Sequence, residues 1–588
     1  MTFSGGLDID TTSGTGFNAT GGGTVEVLNG GVINDIDSTI GTAVNIQSTT
    51  IGSQGGDVRQ RQQQWGNERH RNNTGATGLF EVRGDGPSNP ANTTRGRTTV
   101  GQLGPIALGS GGTITNATDA VVLTNATNVV LRNMVLGNGS VQPGDAVSGT
   151  SVISDNGIES TNVTGLTLDN VIISQTADHG IQGFGTNSGL TLQHTEILNA
   201  GDDGAGSTDG DDAMDYKTGI GGPAGPHSLL GTVDILNSVI AGMADSGLEV
   251  ENFAGTLNIT VRNALIGNNH HSIAGCNPCE GDGFILRADG GSAQMDMVVE
   301  DTTFNNVAND GIDFGNDQDS NVSSLVVQRV NATNNSNADN IVDVASGRGT
   351  MTATVIDFTS DTATRGTVLF FKADGGSNMD VTITTDQMAN NLIQGSTIGN
   401  AIDLFYDGDI GTGDTTGRAL IENTQTSNIF ASGLSINVGD MASNAGEVDV
   451  TVRNVRLEKP TATAFIVEPL RIVHPDAFGT LDVLVVDSEI GRGSTWSGTE
   501  FESVYIGEQG NGRIRIACRD DGDGGNGAPC STLIGTATSS TADLANIFNE
   551  NGNKIIDGGL RDFIAADILN SGSASIDIIS PGDVSLPS

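Results

Sequence analysis

Short runs of alternating apolar and polar residues return at intervals along the chain. The sequence Gly-Leu-Thr-Leu at 165–168 returns at 189–192, and Gly-Ile at 157–158 returns at 180–181. Alternation of this kind predicts β-strands with one buried face. A unit of two such strands is too short to bury its apolar face alone, whereas stacked copies bury it between them. The pattern therefore predicts a solenoid.

An apolar residue after a turn marks the start of each unit. The intervals between these residues range from 23 residues (158 to 181) to 39 residues (465 to 504). A coil with fixed strands and variable loops tolerates this scatter. A sandwich of hairpins is the competing fold, but it predicts an even strand spacing of about 8–12 residues. The starting residues are Ile158, Ile181, Met214, Leu248, Phe284, Ile312, Ile341, Val368, Ile402, Leu434, Phe465 and Val504.

Asparagine recurs between the second strand of a unit and the next apolar pair. Asn170, Asn263 and Asn454 are examples. Asparagine tolerates the left-handed backbone of a tight corner, and its side chain bonds local backbone groups. Stacked from coil to coil, such amides can also form ladders. We therefore predict coils of two or three strands, with equivalent strands of successive coils pairing in parallel at about 4.8 Å.

The repeat pattern divides the chain into four segments. Residues 1–56 form N-terminal β-helix coils, residues 57–99 a basic insertion, residues 100–540 the main β-helix, and residues 541–588 a C-terminal cap with last strands or a linker. The basic insertion is either a solvated loop packed on its own acidic body or an element that docks a neighbouring copy or an acidic glycan. Within the last segment, 541–556 is expected to be helical or looped and to cover an open coil edge.

Composition narrows the possible partners. The 588 residues include 85 glycines and only 4% aromatics, which favours tight turns and small buried layers. The formal charge of −44 repels phosphate backbones and anionic lipid surfaces. No apolar run approaches the ~18 residues of a membrane span. We therefore expect neither nucleic-acid binding nor membrane insertion. The start lacks the pattern of a signal peptide, so export signals are expected elsewhere.

Four cysteines form two local pairs, Cys276 with Cys279 and Cys518 with Cys530. Isolated local pairs predict disulfides that close insertions in an oxidising compartment. A zinc half-site at Cys276 and Cys279 is the alternative, although no second pair at matching spacing completes it. The cysteines favour a secreted or cell-surface protein.

The asparagine-cornered coils resemble right-handed parallel β-helix proteins of the pectate-lyase-like superfamily. The glycine-rich opening, 5–10 through 24–27, is similar to repeat-rich bacterial surface proteins and autotransporter-like passengers. The resemblance covers most of residues 1–530 and implies an all-β, right-handed parallel β-helix (β-solenoid) with loop insertions. It implies no single activity, because this architecture hosts lyases, hydrolases, tailspikes, adhesins and structural fibres.

The motifs of the enzymes with this fold are only partly present. Pectin hydrolases of the superfamily use Asn-Thr-Asp, an Asp pair, Gly-His-Gly and Arg-x-Lys. The pair at Asp202-Asp203 resembles the second motif, but His179 precedes it instead of following it, and no Arg-x-Lys occurs. The related lyases use an arginine or lysine base beside calcium. The strand arginines Arg132, Arg262 and Arg453 share one coil position, which indicates scaffold residues.

Two acidic clusters in glycine-rich loops are candidate calcium sites, because Ca²⁺ takes six to eight oxygen ligands from carboxylates and carbonyls. The first cluster, which also contains Asp215, could alternatively supply the carboxylates of a glycosidase. The second could be clamped by its cysteine pair. The candidate metal ligands are Asp202, Asp203, Asp209, Asp211 and Asp212 in the first loop, and Asp520, Asp521 and Asp523 in the second.

The sequence favours a non-catalytic role. We expect an extracellular structural or adhesive β-solenoid, with calcium as a candidate cofactor. Self-association into a surface fibre or filament is expected, and a glycan or cell surface is a candidate partner. The alternative is a calcium-dependent polysaccharide lyase or glycoside hydrolase of the β-helix superfamily.

Overall fold

The computed structural model divides the chain into two compact units, Met1–Gly281 (unit 1) and Asp282–Ser588 (unit 2). The strands of each unit form three rows, named here in the order in which a coil visits them. The residues that the structure describes are 2–3, 8–11, 15–20, 26–27, 35–38, 42–47, 80–83, 113–141, 151–201, 211–217, 227–267, 281–316, 321–335, 338–361, 365–386, 391–395, 399–408, 415–439, 446–458, 468–477, 479–486, 488–492, 504–510, 513–518, 554–555, 560–564 and 575–579.

In unit 1, some long strands run through two rows. The first row contains β3 (Phe17–Thr20), β6 (Val44–Gln47), β9 (Val121–Thr124), β11 (Ile158–Thr161), β13 (Ile181–Phe184), β16 (Met214–Tyr216) and the start of β19 (Leu248–Arg262). The second contains β1 (Thr2–Phe3), β4 (Glu26–Val27), β7 (Phe80–Arg83), β10 (Thr127–Gly137), β12 (Thr164–Thr176), β14 (Thr186–Gln193), β17 (Ser228–Leu236) and the end of β19. The third contains β2 (Asp8–Thr11), β5 (Asp35–Ser38), β8 (Thr113–Thr115), the ends of β10 and β12, β15 (Glu196–Ala200), β18 (Val239–Ala241) and β20 (Leu265–Gly267).

Unit 2 repeats the three rows. The first row contains the start of β21 (Phe284–Glu300), β23 (Ile312–Asn316), β26 (Val342–Ser346), β29 (Leu369–Ala373), β32 (Ile402–Tyr406), β35 (Leu434–Val438), β38 (Leu470–Ala477), β41 (Val504–Gly510) and β44 (Leu560–Ile564). The second contains the end of β21, β24 (Val322–Gln328), β27 (Thr350–Ile356), β30 (Asn378–Thr384), β33 (Thr416–Glu422), β36 (Glu447–Arg453), β39 (Thr480–Val486), β42 (Arg513–Cys518) and β45 (Ser575–Ile579). The third contains β22 (Thr303–Asn305), β25 (Asn331–Thr333), β28 (Thr359–Ser360), β31 (Leu392–Gln394), β34 (Gln425–Ser427), β37 (Arg456–Glu458), β40 (Glu489–Arg492) and β43 (Lys554–Ile555).

Neighbouring strands within each row pair in parallel, so the predicted all-β parallel β-helix is confirmed. Ile158 pairs with Ile181, and Ile181 pairs with Met214, as the sequence repeat predicts. Three predicted starting positions are wrong. The structure pairs Val342 and Leu369 where Ile341 and Val368 were expected. Leu470, and not Phe465, pairs with Leu434.

Alternation places one face of each strand inside the coil. In β30, Met379, Val381 and Ile383 are buried, while the residues between them are half-buried. Larger side chains fill the interior at intervals, and burying a phenylalanine of this kind stabilises the fold by roughly 1.5–3 kcal/mol. A large ring needs a small neighbour in the next coil. A Cβ added to Gly183 would lie 2.1 Å from Cδ1 of the buried Tyr216, so only glycine fits there.

Asparagines form the corner between the second and third rows, as predicted. Asn170, Asn263 and Asn454 have φ of 58°, 53° and 49°, which is the left-handed region. The amide of Asn263 donates to Asn237 Oδ1 at 2.7 Å on the neighbouring coil. These side chains therefore stabilise both the corner and the stacking of coils.

Two of the three strand arginines, Arg132 and Arg453, form ion pairs on the outside of the coil, which agrees with their interpretation as scaffold residues. Arg132 Nε lies 2.8 Å from Asp169 Oδ2, and Arg453 Nη1 lies 3.0 Å from Glu422 Oε1. Each pair joins neighbouring second-row strands across the coil repeat. Because both pairs are solvent-accessible, each contributes less than about 1 kcal/mol.

Several predicted segments lie outside the described residues. They are the basic insertion except for 80–83, the C-terminal cap at 541–556 except for 554–555, and the pairings of all four cysteines. Within the part of the chain that is described, no helix is long and apolar enough to cross a membrane.

Candidate functional site

A column of polar residues lines the corner before the first row. At nine corners among the described residues, the residue two positions before a first-row strand accepts a hydrogen bond from the backbone N–H of its equivalent on the next coil. We call this column the corner ladder. In unit 1 the accepting members are Asp119, Asn156, His179 and Asp212, and Ser246 contributes its backbone N–H. In unit 2 the accepting members are Asp282, Asp310, Asn340, Thr367 and Asn400, and Ser432 contributes its backbone N–H. The ladder satisfies backbone donors that would otherwise be buried without a partner.

The candidate site surrounds the corner ladder of unit 1. Asp212 belongs to the ladder, and β16 begins two residues after it. Alternation along β16 turns Asp215 to the outer side, with Lys217 two residues farther on. Glu249 is the register partner of Asp215 on the following coil. We call the set His179, Asp212, Asp215, Lys217 and Glu249 the polar cluster.

His179 has a fixed role in this cluster. Its Nδ1 accepts the backbone N–H of Asp212 at 3.0 Å, while Nε2 lies 3.6 Å from Asp215 Oδ2. Burial lowers the pKa of His179, so the ring is neutral at neutral pH. Because Nδ1 is the acceptor, the single ring proton is on Nε2, facing the Asp215 carboxylate.

The positions of His179, Asp212 and Asp215 also suit a metal ion, because one ligand atom from each lies within 4.8 Å of the others. The hydrogen bond at Nδ1 argues against this use. A neutral histidine that binds a metal through Nε2 carries its proton on Nδ1. That proton would point at the N–H of Asp212, and both groups would be donors. The geometry favours a hydrogen-bonded histidine in the ladder.

Asp212 is completely buried. Its Oδ1 accepts the backbone N–H of Ser246 at 2.8 Å, but its Oδ2 has no hydrogen-bond partner among the described residues. Burial, reinforced by the Glu249 carboxyl, raises the pKa of Asp212 well above its usual value. Lys217 Nζ lies 3.9 Å from Oδ2 and supplies the positive charge that a bound cation would otherwise supply.

Lys217 and Glu249 form the outer part of the cluster. Lys217 Nζ donates to Glu249 Oε2 at 2.5 Å across neighbouring coils. Burial raises the pKa of Glu249 to about 7, although Lys217 opposes the shift. Burial also disfavours the charged form of Lys217, but Asp212 and Glu249 outweigh it, so the pKa of Lys217 lies above its usual value. The Lys217 side chain is 27% exposed, compared with 11% for Glu249, 10% for His179 and 0% for Asp212. Lys217 is therefore the most accessible of these four residues.

A second group of acids lies on the preceding coils. Asp119 and Asp155 both contact the amide of Asn156, at 3.4 and 2.9 Å. Burial and the neighbouring Asp119 raise the pKa of Asp155 to about 8. Acids are therefore crowded along this corner of unit 1, and burial raises the pKa of several of them.

Only part of the predicted first calcium loop is described. Asp212 belongs to the polar cluster, and Asp211 is buried beside it in the chain. Asp202, Asp203 and Asp209, and the second loop with Asp520, Asp521 and Asp523, lie outside the described residues. Calcium binding at both loops stays a prediction.

Sequence reasoning did not identify Lys217 and Glu249 as neighbours. The signal was available, because Met214 and Leu248 start equivalent strands. The residues that follow these starts, Asp215 and Glu249, must then pair with each other in the register of the two strands. His179 was noticed for its resemblance to a hydrolase motif, but its hydrogen bond makes it a member of the corner ladder.

The spacing of the cluster returns in unit 2. Asp310 and Asp313 repeat the spacing of Asp212 and Asp215. Arg287 pairs with Asp313 at 2.7 Å. It lies three residues after the start of β21, and Lys217 lies three residues after the start of β16. Burial raises the pKa of Asp310 to about 8. An acidic corner with an adjacent cation is thus a repeated feature of this chain.

Fold and geometry define the class of the protein as a parallel β-helix with polar residues stacked along its corners. Comparison of the chain with protein-family models, curated protein sequences and solved structures gives no match.

Proposed function

We propose that the chain is an extracellular β-solenoid with a structural or adhesive role. It acts by presenting repeated surface features, through which it self-associates into a fibre or binds a glycan or cell surface. The two local cysteine pairs support an oxidising, extracellular location. The acidic surface supports solubility and counts against polyanionic partners.

Repetition of the polar positions is the observation that supports this proposal best. A corner ladder occurs in each unit, and the Asp-x-x-Asp spacing at 212–215 returns at 310–313. A catalytic set requires groups that occur together once. A scaffold repeats its groups because each coil must satisfy the same backbone donors.

Electron microscopy of the purified chain tests the structural role. We expect rods that join end to end or side by side. Deleting residues 57–99 tests whether the basic insertion makes the contact, because the deletion should then reduce assembly without changing the far-UV circular dichroism. Isolated particles at all concentrations, together with no attachment to glycans or cells, would contradict the proposal.

One observation favours a second function, cleavage of a polysaccharide. Asp215 and Glu249 are register partners on neighbouring coils, so their backbones are about 4.8 Å apart and both side chains leave the same outer face. Glycosidases use a carboxylate pair in which one member retains its proton. Glu249, with a pKa of about 7 beside Lys217, has the property of such an acid.

Turnover assays separate the two functions. The chain is incubated with neutral and acidic polysaccharides, with and without Ca²⁺, and reducing ends and unsaturated products are measured. The structural proposal predicts no products. Products that disappear in Glu249→Gln and Asp215→Asn, while folding is retained, would establish the enzyme instead. An Asp202→Ala/Asp203→Ala double variant tests the predicted calcium loop in the same assay.

A further inference from the structure

The outward face of the first row in unit 2 carries aromatic residues among polar ones. In each strand of this row, the residues one and three positions after the start point away from the interior. Register pairs these positions from β29 to β41. We call the resulting set the outer strip. Its polar and aromatic members are Phe370, Lys372, Asp403, Phe405, Ser435, Asn437, Arg471 and Tyr505, and the remaining two positions are Val473 and Gly507.

The aromatic rings of the strip do not belong to the core. In β29 and β32, burial alternates between buried and half-buried residues, and Phe370 and Phe405 take half-buried positions. Tyr505 takes the same position in β41. Aromatics make up only 4% of the chain, so three rings on one outward face are a marked concentration. Contiguous apolar patches that reach the surface mark interaction sites and ligand-binding grooves, so we take the three half-buried rings as part of a contact surface.

The polar groups between the rings are held in place. Asn437 Nδ2 donates to Asp403 Oδ1 at 2.9 Å and to Ser435 Oγ at 2.8 Å. Asn400 Nδ2 donates to Asp403 Oδ2, also at 2.9 Å. Asp403 keeps further lone pairs, since each carboxylate oxygen accepts more than one hydrogen bond. The strip therefore combines fixed hydrogen-bonding groups with flat apolar rings.

Cations of the strip are already matched by neighbours. Lys372 Nζ is 2.5 Å from Asp374 Oδ2 and 6.0 Å from the centre of the Phe405 ring. The Arg471 guanidinium lies 5.8 Å from the centre of the Tyr505 ring, and its charge interacts with the Asp403 carboxyl group. The strip thus has no excess of positive charge, and the whole chain, at −44, repels polyanions. A neutral ligand fits this balance best.

We propose that the outer strip binds a neutral polysaccharide, with pyranose rings resting on Phe370, Phe405 and Tyr505. The C–H face of a pyranose packs on an aromatic ring, and its hydroxyls suit the Asp403–Asn437 pair and Arg471. Phe370 and Tyr505 are four strand steps apart, which is about 19 Å along the stack. A linear chain of several sugars spans that length. This inference rests on the adhesive form of the proposed function and names its ligand.

Affinity electrophoresis of the full chain tests the inference. Native gels contain a soluble neutral polysaccharide (mixed-linkage β-glucan, xylan or galactomannan) or an anionic one (polygalacturonate or alginate). We expect at least one neutral polymer to retard the protein, with no retardation by the anionic polymers. Phe405→Ala, Phe370→Ala and Tyr505→Ala should each weaken binding by roughly 2- to 10-fold. Phe253→Ala is the matched control, because Phe253 is an aromatic residue of unit 1 that is 42% exposed.

Failure of the inference is distinguishable from failure of the proposed function. No retardation by any neutral polymer, retardation by anionic polymers alone, or equal loss in the Phe253→Ala control would overturn the strip as a neutral-glycan site. Rods or fibres seen with the same protein would leave the structural role standing. Release of sugar products in the gel buffer would instead reject the structural role. Thermal melting of every variant confirms that it is folded, and Asp403→Asn gives a second test that keeps a similar side-chain volume.

Discussion

Replacing His179 tests whether this residue is a ladder member or a reactive group. In His179→Ala, the backbone N–H of Asp212 loses its acceptor at a completely buried position. In His179→Asn, an amide oxygen replaces the ring nitrogen. Asn156 already makes this bond from the neighbouring coil, where its Oδ1 accepts the N–H of His179 at 3.2 Å.

The two substitutions should therefore differ in cost. A buried donor left without a partner costs about 1–3 kcal/mol, and loss of the imidazole volume adds to this figure in the alanine variant. The asparagine variant keeps the hydrogen bond and loses only part of the packing. We expect His179→Ala to be less stable than His179→Asn by about 1–3 kcal/mol.

Urea unfolding followed by circular dichroism measures the difference, with equal m-values as the condition for comparing midpoints. Hydrogen exchange gives a local readout, because the amide of Asp212 should exchange faster in His179→Ala and keep its protection in His179→Asn. Equal destabilisation and equal exchange in both variants would refute the ladder reasoning. Such a result would show that the contact of the imidazole ring with Asp215, and not the bond to the backbone of Asp212, determines the stability at this corner.

Four further outcomes follow from the structure. Stability should fall as pH rises from about 4 to 8, because the folded state keeps a proton on Asp310 that the unfolded chain releases. The Asp310→Asn variant should therefore show a flatter dependence of Tm on pH over this range. Gly180→Ala should lower Tm, since its Cβ would lie 2.6 Å from the carbonyl oxygen of Ala213, and a stability cost of about 1–3 kcal/mol is expected in urea. Asn263→Ala should cost about 1–2 kcal/mol, because alanine is strained at φ 53°, and Asn263→Gly should recover part of it. Lys217→Met removes the cation beside three carboxyl groups, so added Ca²⁺ should raise the Tm of this variant more than that of the unaltered chain. Equal shifts of Tm in the two proteins would contradict the role of Lys217 as a counter-ion.

The fold was predictable because its strongest determinants are local. The alternation at 165–168 fixes which side chains face inward, and its return at 189–192 fixes the pairing of Leu166 with Leu190. Asparagine at the corners was predictable for the same reason, since left-handed backbone is a property of single residues.

Register within apolar doublets was not predictable from the pattern. Ile341 and Val342 are both buried, as are Val368 and Leu369. Each member of a doublet is an equally good strand start by hydrophobicity. The choice depends on which backbone groups meet the neighbouring coil. In both cases the strand starts two residues after a polar corner residue, Asn340 or Thr367, and hydrophobicity alone does not carry that signal.

The polar cluster was predictable only in part. Asp212 was a candidate because acids crowd the glycine-rich loop around it. The contact between Lys217 and Glu249 depends on the register of two coils separated by a loop of irregular length. The outer strip was missed because its aromatic residues, such as Phe370 and Phe405, resemble core residues in a list of apolar positions.

The corner ladder has a consequence for how the protein can change. Each accepting position in this column offers one lone pair to the N–H of its equivalent on the next coil, and carboxylate, amide, imidazole and hydroxyl groups all do so here. Exchanges among these groups leave the backbone bonding intact. Substitutions that place acids, bases or nucleophiles along this edge of the coil therefore cost little folding stability. New catalytic or binding groups can arise at this edge without loss of the fold.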